Sequence, residues 1–171
     1  MEPADDREGM IFKVEIVTVD FKNELHTSGL LQVLDSYASD PIGGGEPLRD
    51  EVRSRLIAGL KAHPTTLALM AFDGKSAVGL AICFFGFSTF RAMRLLNIHD
   101  LAVVPERRGE GIGGALLRAV EEKAMENDCC KLTLEAQEDN VRAVEIYRKF
   151  GFQDFTLGDS GPTRFFAKNL S

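Results

Sequence analysis

Apolar positions along this chain change their spacing at well-marked points, and each change predicts an element. From Ile11 to Val19 they alternate. Phe12, Val14 and Ile16 fall on one side and Ile11, Lys13, Glu15 and Val17 on the other, which predicts a strand with one apolar face. Between Phe21 and Ala38, Leu25, Leu30, Leu31 and Leu34 recur at helical intervals behind Asp20, a candidate cap, although Gly29 interrupts the run. The stretch Asp40 to Pro47 places three glycines between two prolines, so an exposed flexible loop is expected, either a substrate lid or a surface connection. A second helix follows from about Leu48 to Leu60, with Val52, Leu56 and Leu60 on one side and Glu51 four residues before Arg55.

Thr65 to Phe72 reads as a strand, Asp73-Gly74 as a hairpin turn, and Ala77 to Phe87 as a long apolar strand; Asn97 to Val104 adds another, with Arg91 and Arg94 near the turn before it. The middle of the chain is therefore an antiparallel meander. Leu116, Leu117, Val120 and Ala124 then form a helical stripe ending near Asn127, and Lys131 to Glu135 returns to a strand. Asp139 or Asn140 caps a last helix whose stripe is Ala143, Val144, Tyr147 and Phe150; Gly151 stops it, and Phe152 to Phe155 and Arg164 to Ala167 predict two closing strands. The resulting order is an α/β arrangement of mixed α+β character: about four helices flanking a mixed, mostly antiparallel sheet of about seven strands, with a parallel strand-helix-strand unit near its end.

With 171 residues and 44% hydrophobic content, one domain over residues 10–171 is expected behind a loose lead-in, residues 1–9. A formal charge of -6 argues against general nucleic-acid binding, though Arg107-Arg108 is a local basic patch. No apolar run is long enough for a membrane span, and the acidic start lacks the pattern of a secretory leader, so a cytoplasmic protein is expected. Three cysteines, two of them adjacent, give neither a disulfide framework nor zinc spacing, and His26, His63 and His99 are too scattered for a metal site.

The chemistry concentrates in Arg107-Arg108-Gly109-Glu110-Gly111-Ile112-Gly113-Gly114, between a strand and a helix. Glycines let main-chain N–H groups turn toward a ligand and the helix start adds partial positive charge, which suits phosphate oxygens; Arg108, and less directly Arg107, could pair with the same anion. The dinucleotide-binding pattern is met literally by Gly109, Gly111 and Gly114, with Glu135 at the expected distance. However, Pro105 to Arg108 separate the strand from the first glycine, and the upstream meander lacks the further strand-helix units. No Gly-Lys-Ser or Gly-Lys-Thr follows, which excludes a nucleotide-triphosphate loop.

The segment Asn97 to Leu117, with Arg108, Gly111 and Gly113 in the hallmark positions, resembles the acetyl-coenzyme-A-binding core of the GNAT N-acetyltransferase superfamily, and Asp139 to Phe152 resembles its second cofactor-contacting block. Within the superfamily, the portion from His99 to Tyr147 is most similar to the diamine (spermidine/spermine-type) branch. The resemblance implies a GNAT fold over roughly Phe12 to Lys168 and acetyl transfer from acetyl-CoA to a primary amine in a ternary complex, with no metal. It implies donor contacts at Leu101, Ala102, Val103, Arg108, Gly109, Glu110, Gly111, Ile112, Gly113, Gly114 and Asn140. The main-chain N–H groups of Leu101 to Val103 would be freed by a break in strand pairing, and Asn140 would be either a contact or a helix cap. Tyr147 matches the proton donor to the departing thiolate, with a core tyrosine as the rival reading. His99 stands where the diamine branch carries a carboxylate base, and deprotonates the amine unless water does so. Asp100, expected on the opposite strand face, could orient a neighbouring group.

Acidic residues Asp35, Asp40, Glu46, Asp50 and Glu51 around the glycine loop would steer a cationic acceptor, while Phe84, Phe85, Phe87 and Phe90 leave room for an apolar one. Polyamine, amino acid, xenobiotic amine and protein amine all stay open, as do a CoA-binding regulator or inactive relative, transfer of a longer acyl group, and a homodimer. A covalent acyl-cysteine route through Cys129 or Cys130 lacks a neighbouring histidine.

Overall fold

The structure is a computed structural model that describes residues 14–156, 158–159, 161 and 163–170. They divide into two units, one running to Glu135 and the other from Ala136. In the first, β1 (Glu15–Thr18), β2 (Thr66–Asp73), β3 (Ser76–Ser88), β4 (Met93–Val103) and β5 (Leu132–Leu134) lie side by side in chain order. All neighbours are antiparallel except β4 and β5, which are parallel because α3 (Ile112–Glu126) carries the chain back between them. Between β1 and β2 come α1 (Glu24–Ser39) and α2 (Asp50–Ala62), and the second unit holds α4 (Val141–Lys149).

Five strands and four helices are thus present among the described residues, against an expectation of about seven strands. The predicted closing strands at 152–155 and 164–167 are not formed, although Thr163 N–H donates to Phe155 O at 3.0 Å. Each offered only four residues of pattern, and a strand that short depends on a partner ladder. The lead-in and residues 11–13 of the predicted first strand lie outside the described residues. α1 starts later than expected because Asn23 caps it: its Oδ1 accepts from Leu25 N–H at 2.9 Å, whereas Asp20 Oδ1 accepts from Lys22 N–H in the preceding turn.

Two layers cover the sheet. Leu30, Val33 and Leu34 of α1 and Leu60 of α2 pack on Met70, Phe72, Leu80, Ile82 and Ala102. On the alternate positions Leu69, Ala71, Ala81, Leu96 and Ile98 are buried with Leu116, Leu117 and Val120 of α3. Burial on both faces explains why β2 and the first half of β3 are nearly continuously apolar instead of alternating. Each fully buried leucine contributes about 2 kcal/mol by leaving water. No helix among the described residues is long and apolar enough to cross a membrane.

Gly29 interrupts the α1 pattern because the helix crosses the sheet there. A Cβ at Gly29 would sit 2.8 Å from Ala77 Cβ and 3.2 Å from Met70 Cε. Gly59 in α2 has nothing within 4 Å of such a Cβ. The same substitution therefore has opposite signs at Gly29 and Gly59. Gly59→Ala should raise unfolding free energy by about 0.5–1 kcal/mol through helix propensity. Gly29→Ala should lower it by about 1 kcal/mol or more, because overpacking costs about 1–3 kcal/mol and a neighbouring Cβ cannot rotate away. Urea unfolding of both variants checks this.

Candidate functional site

The sequence of β4 does not pair evenly. Against β3 its register shifts between Ile82 and Cys83, which face Asp100 and Ile98, so His99 is a surplus residue on β4. The bulge has two effects. Leu96 and Ile98 point to the α3 side, but His99 packs edge-on against Phe84 at 5.5 Å, and Asp100 lies across from core residue Ile82. Both side chains therefore reach the face covered by α1 and α2, which corrects the expectation that simple alternation would separate them.

The second effect is on the backbone. β4 pairs with β5 only through Ile98↔Leu134 and then runs on to Val103. Val104 N–H donates to Val78 O at 3.0 Å, so antiparallel alternation turns the main-chain groups of Asp100 and Ala102 toward β3 and those of Leu101 and Val103 toward the edge where β5 has ended. Of the three residues expected to offer free N–H groups, Leu101 and Val103 turn theirs toward this edge, while Ala102 faces the ladder.

β4 leads through a single 3-10 turn, Pro105–Arg107, into the glycine segment. Gly109 and Gly111 have φ of 90° and 82°, a left-handed conformation that side chains resist, and Gly111 is the residue before α3. Gly113 and Gly114 are not demanded by packing: a Cβ there would meet only Val103 Cγ2 at 3.9 Å and Arg118 Nη1 at 3.6 Å. They leave the first N–H groups of α3, which have no helical acceptor, open to an incoming anion.

The two arginines are occupied by the protein itself. Arg107 bonds Asp73 at 2.8 Å and Glu110 at 2.7 Å, pinning the turn to the β2–β3 hairpin; these carboxylates push its guanidinium pKa up. Arg108 Nη1 bonds Asp40 Oδ2 at 2.8 Å, and its Nε donates to Val103 O at 3.1 Å. Asp40 in turn organises the glycine loop. Its Oδ1 accepts from Ile42 N–H, its carbonyl from Gly43 and Gly45 N–H, and Glu46 N–H closes on Ala38 O. Instead of a flexible loop, residues 40–46 form a tight winding, and a side chain at Gly43 would collide with Tyr37 O. The Ile42 N–H and the Arg108 guanidinium hold the Asp40 carboxyl below its usual range. Asp35 is likewise engaged, by Arg53 at 2.7 Å and Leu48 N–H at 2.9 Å. These two carboxylates are thus structural, not a steering patch.

Asp100 has a different environment. Burial pushes its pKa up, partly opposed by His99. Burial also raises the Tyr37 hydroxyl, with Asp100 and Asp40 adding to the rise and Arg108 opposing it, so these side chains form one electrostatic cluster under the end of α1. On the other side of Phe84 stands His63, edge-on at 5.0 Å, at the end of α2. Phe84 and His63 border an apolar groove of about 410 Å³ with Val52, Leu56 and Leu60, and Arg55 as its charged member. The placement of His63 beside the same ring as His99 was invisible in the sequence, where 36 positions separate them. His26, by contrast, accepts from Asp20 N–H and packs on Phe72. Cys83 is buried and its thiol is pushed up to about 12 by burial and then by Asp100, which makes it a poor nucleophile. Among the described residues no cluster of three or more His, Cys, Asp or Glu side chains is arranged to hold a metal ion.

In the second unit Asn140 is a helix cap, its Oδ1 accepting from Ala143 N–H at 3.3 Å. Tyr147 lies in an aromatic group with Phe152, edge-on at 5.9 Å, which in turn stacks with Phe150. Gly151, at φ 99°, ends the helix.

The model of the acetyltransferase (GNAT) family matches residues 30–152. Thialysine N-epsilon-acetyltransferase of Bos taurus is 36% identical over 84 residues, 49% of each chain. Streptothricin acetyltransferase of Streptomyces lavendulae is 32% identical over 94 residues, 55% of this chain and 47% of its own. The chain thus spans about half the length of these curated relatives. An aminoglycoside acetyltransferase from an uncultured soil metagenomic sample, solved in complex with sisomicin, superposes with a TM-score of 0.72 over 91% of this chain and 95% of its own at 15% identity.

A carboxyl whose folded pKa is raised stabilises the fold below its unfolded pKa of about 3.9 and loses that contribution as pH rises through the folded value. At neutral pH Asp100 therefore costs stability. Asp100→Asn should raise Tm at pH 7, and the gain should shrink toward nothing as pH falls to about 4, where aspartate is protonated too. Thermal unfolding across that range measures it.

Proposed function

The chain belongs to the acetyltransferase (GNAT) family, and from that membership we propose that it transfers an acetyl group from acetyl-CoA to the primary amine of a small molecule. The observation that carries the reading is the coincidence, at one end of β4, of an open main-chain edge at Leu101 and Val103 with the bare start of α3 behind Gly109 and Gly111. An amide-bearing arm suits the first and a pyrophosphate the second. Acetyl-CoA would supply both, together with an activated thioester. Leu101, Val103 and the segment Gly109 to Gly114 are the donor contacts in this reading. Ala102 and Arg108 support the site from behind, Arg108 through its bond to Val103 O.

A free alkyl ammonium has a pKa near 10, so deprotonating it at pH 7 costs about 4 kcal/mol. His99, exposed beside Phe84, is positioned to take that proton directly or through water. Asp100 on the same face orients the imidazole and offsets the charge it gains. The amine nitrogen then bonds the acyl carbon and the carbon–sulfur bond breaks. Tyr147 gives its hydroxyl proton to the departing thiolate, and Asn140 keeps the start of its helix in place.

Relatives named for thialysine and streptothricin, and an aminoglycoside enzyme solved with sisomicin, support a small amine, while a relative named for the alanine of ribosomal protein bS18 keeps a protein amine as the second reading. The similarity to the diamine branch is narrower support. A polyamine needs free carboxylates, and Asp35 and Asp40 are already paired.

Thiol release from acetyl-CoA, measured against polyamines, amino acids, arylalkylamines, aminoglycosides and lysine peptides, tests the proposal. One amine class should release thiol, Tyr147→Phe should lower kcat about 100-fold, and His99→Gln should lower kcat/KM for that amine while leaving CoA affinity unchanged. If no amine reacts while calorimetry detects CoA binding, transfer is wrong; if CoA does not bind, the donor site is wrong.

A further inference from the structure

Asp40 serves two structures at once. Inside the connection between α1 and α2 it gathers the N–H groups of Ile42, Gly43 and Gly45; outside it, its second carboxylate oxygen holds Arg108 of the donor turn at 2.8 Å. Arg108 spends its remaining anchored nitrogen on Val103 O, at the open edge of β4. One guanidinium thus ties together the strand edge, the glycine turn and the α1–α2 connection.

We propose that Asp40 is a positioning residue for donor binding, acting through Arg108 to make the donor turn and the α1–α2 connection respond as one body. This inference rests on the acetyl-CoA reading above. The pair differs from an ordinary surface ion pair in two ways. Its side chains are only 12% exposed at Asp40 and 28% at Arg108, and both partners carry a second hydrogen bond to main chain that fixes their direction. Removing either leaves the other charge partly buried without its partner. Close packing on the other side transmits the constraint: the glycine winding sits directly against Tyr37 O, so it cannot shift without shifting the end of α1. A ligand that tightens this pre-set turn then tightens residues 40–46 as well through the ion pair, and by reciprocity the state of the connection must alter donor affinity.

The test uses CoA as the probe, with the whole chain as wild type, Asp40→Asn and Arg108→Gln, each checked for cooperative thermal unfolding. Calorimetry gives CoA affinity, and hydrogen exchange follows the Ile42, Gly43 and Gly45 amides with and without saturating CoA. In wild type CoA should slow exchange at these amides. In Asp40→Asn it should bind roughly fivefold or more weakly, and at saturation should no longer slow them. Arg108→Gln should lose the same protection, and the double variant should bind CoA no worse than the weaker single one. If Arg108→Gln does not fold, the near-isosteric Asp40→Asn alone decides. Equal protection in wild type and variants, or no protection in a wild type that binds CoA, overturns the coupling and leaves the donor site standing. Failure of wild type to bind CoA overturns both.

Discussion

A single surplus residue in β4 shapes both faces of the strand at the proposed site. Before the bulge, Leu96 and Ile98 belong to the α3 layer; after it, Leu101 and Val103 do, and the two residues between them, His99 and Asp100, are delivered together to the opposite face. Without the bulge Asp100 would sit among the aliphatic side chains under α3. The same extra residue ends the match with β5, because a parallel partner cannot follow a strand that changes its twist. The proposed acceptor and donor sides thus share one local irregularity.

The chain keeps its arginines and carboxylates busy around that centre. Asp73 and Glu110 hold one side of the turn through Arg107, and Asp40 holds the other through Arg108. A turn fixed in this way would lower the ordering cost of binding, and in the proposed donor site it leaves anion recognition to main-chain N–H groups, whose direction the backbone already sets. Asp100 is the exception, a half-buried carboxylate without an ion-pair partner among the described residues, whose pKa burial pushes up.

Much of this could be read from residues alone. The helical stripes of α1, α2 and α3, the Asp73-Gly74 hairpin and the glycine turn all announce themselves, because period and positive φ leave direct marks on sequence. What escaped depends on contacts between distant positions. Gly29 looked like a flaw in a helix and is a packing contact with Ala77. The Asp40 to Pro47 stretch looked loose because its glycines and prolines were counted without the hydrogen bonds that wind it. His63 and His99 meet the same phenylalanine only after α2 and β4 have folded onto β3. A bulge is equally silent: nothing in Ile98-His99-Asp100 distinguishes a strand that alternates from one that slips by one.

The unpaired length of β4 also bears on self-association. An open strand edge normally invites another strand, and long, flat edges are aggregation hazards. Here the opening spans only the outward-facing groups of Leu101 and Val103, and Arg108 already covers one of them by bonding Val103 O. Too few groups remain to seed a ladder with a neighbouring molecule, yet enough remain for a narrow amide chain. An edge this short is therefore a poor template for a second copy of the chain, whatever else it receives.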